Sequence, residues 1–142
     1  MRLTLPLHIS SCVVVLLSSV PLEAQPPSVW DGVYTAEQAA RGAPLYVGEC
    51  AECHGEDLAG LDMAPALVGE EFLYNWDGLP LGDLFERLRV SMPQADPASV
   101  SRQDKADILA YMLEAAGYPP GDEELPRRAR AMRDLLLLVL QP

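Results

Sequence analysis

Cys50, Cys53 and His54 fall in a C-x-x-C-H run, Cys50-Ala51-Glu52-Cys53-His54. Two thiols three positions apart on one turn of helix can each add to one of the two vinyl groups on one edge of a porphyrin. The residue that follows then sets an imidazole beneath the ring, where a nitrogen can ligate iron. Two other chemistries use such a pair. A thioredoxin-like redox couple needs a βαβ setting, and no such pattern surrounds these residues. A zinc site needs further Cys or His ligands, and beyond the run the chain has only Cys12 and His8. The spacing therefore predicts one covalently attached haem c, held through Cys50 and Cys53, with His54 as an axial ligand to the iron.

Residues Met1 to Ala24 have the form of a secretory signal peptide. Arg2 supplies the positive start, Val13-Val14-Val15-Leu16-Leu17 lies in an apolar centre, and Leu22-Glu23-Ala24 ends in a small residue suited to cleavage. The apolar run is short and interrupted by Ser and Pro, so a cleaved signal is expected rather than an uncleaved membrane anchor, and the expected compartment is the periplasm. Cleavage would remove Cys12 and His8 together. The mature chain would keep only the two motif thiols, which in an oxidising compartment would tend to oxidise unless they were bonded to haem. It would also keep no second histidine, so the sixth ligand is expected to be a methionine.

The formal net charge is −11, and Arg2 and Glu23 cancel within the signal, so the mature domain carries all of it. Lys105 is the single lysine. Such a surface is a poor match for nucleic acid. It suits a basic protein partner approached by electrostatic steering.

The elements that must position the motif are legible as helices. Gln25 to Tyr34 reads as an extended lead-in with Pro26-Pro27. Thr35 to Gln38 has a capping-box pattern, opening a helix that runs toward the cysteines. Pro44 lies inside it, so an irregularity is expected between Gly42 and Pro44. A polar loop from Glu56 to Ala64 leads to Pro65-Ala66-Leu67, and Glu70 to Trp76 forms a short helix or turn carrying Phe72 and Trp76. Leu84, Phe85 and Leu88 repeat at helical spacing from about Leu81 to Val90. Ser91-Met92-Pro93 ends that helix. Ser101 caps another, whose apolar face includes Ile108, Leu109, Tyr111 and Met112, and Gly117, Pro119 and Pro120 stop it. No alternating strand pattern or internal repeat is visible. The expected divisions are residues 1–24, 25–34, 35–118 and 119–142. The last has an acidic run, four arginines between Arg127 and Arg133, and the apolar stretch Leu135 to Leu140. It is expected to form a short helix packed on the domain or on a partner subunit, with a membrane-surface contact as the alternative.

From Thr35 to Tyr118 the chain resembles the single-haem class I cytochrome c family. Gly42 and Tyr46 before the C-x-x-C-H run look like that family's N-terminal helix, Ala64-Pro65-Ala66-Leu67 like its proximal loop, and Ser91-Met92-Pro93 like its distal-ligand segment. Asp107-Ile108-Leu109-Ala110-Tyr111-Met112 looks like its C-terminal helix. The resemblance implies an all-α cytochrome c fold of three to five helices around the haem. It implies close crossing of the terminal helices, with Gly42 letting the neighbourhood of Tyr111 approach, and a hydrogen bond from His54 to the Pro65 carbonyl. The side chains expected to contact haem are Pro65, Leu67, Phe72, Trp76 and Pro93.

Four methionines are candidates for the sixth ligand: Met63, Met92, Met112 and Met132. Met63 follows His54 by nine positions, beside the loop on the histidine side. Met112 sits on an apolar helix face that suits core packing, and Met132 lies in the tail. Met92 stands between helices beside Pro93, with enough chain to reach the opposite face. With His54 and Met92 both bound, the iron has no open position for substrate, which implies an electron carrier and not an enzyme in its own right. Its partners would be a dehydrogenase donor and an oxidase or another cytochrome as acceptor. The segment from Met92 to Leu113 is also similar to small cytochromes that serve periplasmic quinoprotein dehydrogenases, so a subunit of such a complex is the alternative. A haem sensor or peroxidase-like enzyme is a third reading, and it requires a displaceable axial ligand.

Overall fold

The computed structural model describes residues 25–62 and 64–142. The signal-peptide reading of residues 1–24 and the candidate Met63 lie outside these residues. Five helices follow in order: α1 (Ala36–Glu49), α2 (Ala51–His54), α3 (Gly69–Trp76), α4 (Leu81–Ser91) and α5 (Arg102–Ala115). Single 3-10 turns lie at Val29–Asp31 and Ala129–Met132. The all-α expectation is met.

Local chemistry explains where the helices begin and end. The Thr35 hydroxyl accepts the Gln38 amide at 3.1 Å and opens α1. The reciprocal half of the expected capping box is absent. The Gln38 side chain is fully buried and is spent elsewhere, donating to Asp107 and to the Leu125 carbonyl and accepting the Leu125 amide. The irregularity expected at Gly42 to Pro44 is absent too. α1 runs unbroken through Pro44, and both Pro44 and Ala40, the residue whose carbonyl Pro44 cannot pair with, lie on the exposed side of the helix. The break comes at Cys50, with φ −127° and ψ −35°, and α2 restarts at once. Ser101 caps α5 by accepting the Asp104 amide at 3.1 Å.

α1 crosses α5 at backbone contact. A Cβ on Gly42 would collide with the carbonyl of Asp107, so glycine is required there. The approach is thus one turn earlier on α5 than the Tyr111 neighbourhood expected. Tyr111 instead pairs with Tyr46, one turn further along α1, with ring centroids 5.5 Å apart. Asp107 is buried at the crossing, where it accepts from Arg41 at 3.0 Å, Gln103 at 2.9 Å and Gln38 at 3.2 Å. A buried carboxylate needs such saturation.

The lead-in and the tail are part of the core. Val29 and Tyr34 are fully buried, and the Tyr34 hydroxyl donates to the Tyr118 carbonyl at 2.6 Å. Leu136 bridges both Ser28 and Pro80. Its amide donates to the Pro27 carbonyl, and its carbonyl accepts the Val29 amide, both at 2.9 Å. Leu137 and Met132 are buried, and the Trp30 indole and the Tyr118 hydroxyl both donate to the Leu138 carbonyl. The apolar end of the chain is therefore extended rather than helical, and it closes the domain on itself. Among the described residues no helix is long and apolar enough to cross a membrane.

Two outcomes test this packing. Gly42→Ala forces α1 away from α5 and should lower unfolding free energy by about 2 kcal/mol, the usual size for overpacking, read by denaturant titration. Burial, with the Glu114 carboxylate adding to it, pushes the Tyr34 phenol up to about 12. A raised phenol contributes stability that is complete below its unfolded value near 10 and is lost as pH rises from there through the folded value. Tyr34→Phe should lose about 1 kcal/mol at neutral pH with its hydrogen bond. Its melting temperature should then fall less steeply than that of the native protein above pH 10.

Candidate haem-attachment site

The site is built outward from the end of α1. The Cys50 amide donates to the Tyr46 carbonyl at 2.9 Å, and the His54 amide returns to the Cys50 carbonyl at 3.0 Å. One helical turn thus carries both thiols and the imidazole. Cys53 is exposed and Cys50 half-buried, and neither is in a disulfide. Burial, with Glu49 next, pushes the Cys50 thiol up to about 11. The Tyr46 phenol, fully buried beneath the turn, donates to the Gly55 carbonyl at 2.6 Å and fixes where the chain leaves His54. Its own ionisation is pushed well up, chiefly by burial.

His54 is buried, and its Nδ1 lies 2.8 Å from the Pro65 carbonyl oxygen. A carbonyl only accepts, so Nδ1 carries the proton and donates it. Nε2 is the nitrogen left with a lone pair for a metal. The loop that brings Pro65 here is pinned at two points: the Gly60 amide donates to the His54 carbonyl, and the Leu67 amide to the Leu58 carbonyl, both at 2.8 Å.

The remaining candidates are spread over three elements. Leu67, Phe72 and Trp76 are all half-buried, with Phe72 and Trp76 ring centroids 6.3 Å apart along α3. α3 buries none of its residues fully. An apolar face on a helix that its own domain leaves half covered suits a flat apolar macrocycle. Met92 caps α4, its amide donating to the Leu88 carbonyl at 3.2 Å, and it is half-buried with Pro93 after it. Met112 is buried on α5 and Met132 is fully buried in the tail, both among apolar side chains of the core. The donors therefore fit haem c: two free thiols at the attachment spacing, an imidazole with one nitrogen tied, and an apolar lining. Among the described residues no three His, Cys, Asp or Glu side chains cluster as metal ligands, so a zinc site has no support. Asp107 and Lys105 are buried as well, which the sequence does not reveal. A charged residue on an amphipathic helix gives no sequence sign of burial.

The model of the family described as cytochrome c oxidase, cbb3-type, subunit III matches residues 37–112, more than half of the chain. The chain belongs to this family of c-type cytochromes. The match runs from the first turn of α1 to Met112 in α5, and membership implies haem c and electron transfer. No protein of curated function matches. Among solved structures, a chain of the crystal structure of the sulfane dehydrogenase SoxCD from Paracoccus pantotrophus is similar. It is 25% identical, with a TM-score of 0.53, over 84% of this chain and 68% of that one. That likeness extends the shared fold beyond the matched haem domain.

Removing either thiol tests the attachment. Cys50→Ser and Cys53→Ser should each leave one thioether at most and cut the yield of haem-stained protein on a denaturing gel. Staining equal to the native protein in both would contradict the assignment.

Proposed function

We propose that this protein is a periplasmic carrier of single electrons, exported by a cleaved signal peptide, with one haem c held by Cys50 and Cys53 and ligated by His54 and Met92. The observation that carries the reading is the tied imidazole: His54 donates from Nδ1 to Pro65 next to two free thiols at the attachment spacing. When bound, the haem supplies a reversible one-electron iron couple. The Pro65 carbonyl holds the His54 ring in one orientation and strengthens Nε2 as a ligand. The choice of Met92 is supported on two grounds: Met112 and Met132 are buried among apolar side chains of the core, and Met63 follows His54 by only nine positions in the sequence. Leu67, Phe72 and Trp76 would exclude water and so favour the less charged ferrous form.

Partner choice follows from charge. Glu49, Glu52, Glu56, Asp57 and Asp62 flank Cys53 in the sequence and are exposed, and no Lys or Arg lies between residues 49 and 62. A partner presenting a basic surface would be steered to this edge, with a rate that falls as salt screens it. A second reading makes the chain the cytochrome subunit of a dehydrogenase complex, and the likeness to a SoxCD chain favours it. Size-exclusion chromatography of the native protein at low salt separates the two, a lone haem protein against a stoichiometric complex with a second redox subunit.

Met92→Ala should abolish the weak long-wavelength band of thioether-ligated ferric haem and lower the reduction potential. An unchanged band would remove Met92 from the ligand set.

A further inference from the structure

Lys105 is the single lysine of the chain, and its side chain is only 2% exposed. Its ammonium donates to the Arg89 carbonyl at 3.0 Å and to the Pro97 carbonyl at 2.6 Å. These two carbonyls bracket Met92. Arg89 stands three residues before it in the last turn of α4, and Pro97 five residues after it in the loop to α5. Resting on the Met92 assignment above, we propose that Lys105 is the positioning residue for that ligand, clamping both ends of the segment that carries the thioether to α5.

The physics argues against a passive role. Burying an ammonium is costly unless its donors are satisfied. Among the described residues Lys105 has no carboxylate in an ion pair. Desolvation and the Arg89 charge accordingly push its ionisation down. An apolar side chain would fill the place without that cost. What the ammonium adds is two directed, charge-assisted hydrogen bonds. One of them falls at the C-terminus of α4, where the helix dipole favours a cation.

The test is the ease with which an outside ligand displaces the thioether. In the ferric holoprotein, Lys105→Met should raise imidazole affinity about tenfold, the size of one lost charge-assisted hydrogen bond. Lys105→Arg, which keeps the donors and the charge, should recover most of the native resistance. A folded Lys105→Met holoprotein with native imidazole affinity and a native long-wavelength band overturns the proposal. Should that variant fail to mature, the native ferrous protein decides through its one lysine. Slowly exchanging ¹⁵N ammonium protons, coupled to the Arg89 and Pro97 carbonyls, are expected, and exchange at the rate of a free lysine overturns the clamp. Survival of the band in Met92→Ala overturns the ligand assignment and the clamp together. Loss of the band there, with unchanged imidazole affinity in Lys105→Met, overturns the clamp alone.

Discussion

Gly42 lets α1 meet α5 backbone to backbone, and both halves of the proposed site are positioned from that crossing. Two turns along α1 the helix breaks at Cys50 and delivers the thiols and His54. On α5, Lys105 lies two residues before the contact at Asp107 and reaches across to the carbonyls on either side of Met92. The crossing is held from within by Asp107, whose carboxylate gathers Gln38, Arg41 and Gln103. It is a polar knot in an apolar interface, and it fixes register where apolar contact alone would tolerate sliding. Tyr46 then carries the registration forward through its hydrogen bond to Gly55.

A small domain built around a haem has little core of its own, and this chain enlarges it by recruiting both ends. The lead-in supplies Val29 and Tyr34, and the tail supplies Met132 and Leu137. The two are sewn together at Leu136 and to the start of α4 at Pro80. Consequently the tail is not a detachable docking arm. Removing residues from Arg127 onward would unpick the domain along with any partner contact, so such a truncation reports on folding first.

Much of this was legible in the sequence because its signals are local. The C-x-x-C-H run, the caps at Thr35 and Ser101, and the apolar periodicity of α4 each depend on residues within a few positions of one another. What was misjudged depends on distant contacts. Pro44 reads as a breaker, yet it lies on the exposed side of an unbroken α1. Gln38 reads as a capping residue until Asp107 and Leu125 claim its amide. The pairing of residues 27–29 with Leu136 leaves no alternation to detect, since each bridge involves a single residue. The burial of Lys105 is invisible for the same reason: its acceptors are main-chain carbonyls, which every residue carries. At the site, the motif residues are plain in the sequence and the Pro65 contact follows from the family resemblance, whereas the clamp on the Met92 segment depends on contacts between distant residues.

The central claim is that this chain is a scaffold for a covalently bound haem, with His54 turned by Pro65 to face the iron. The most direct measurement is the intact mass of the denatured, purified protein produced in a host that matures c-type cytochromes. The account predicts a single species heavier than the polypeptide by one haem. A folded, helical product at the mass of the bare polypeptide would contradict it.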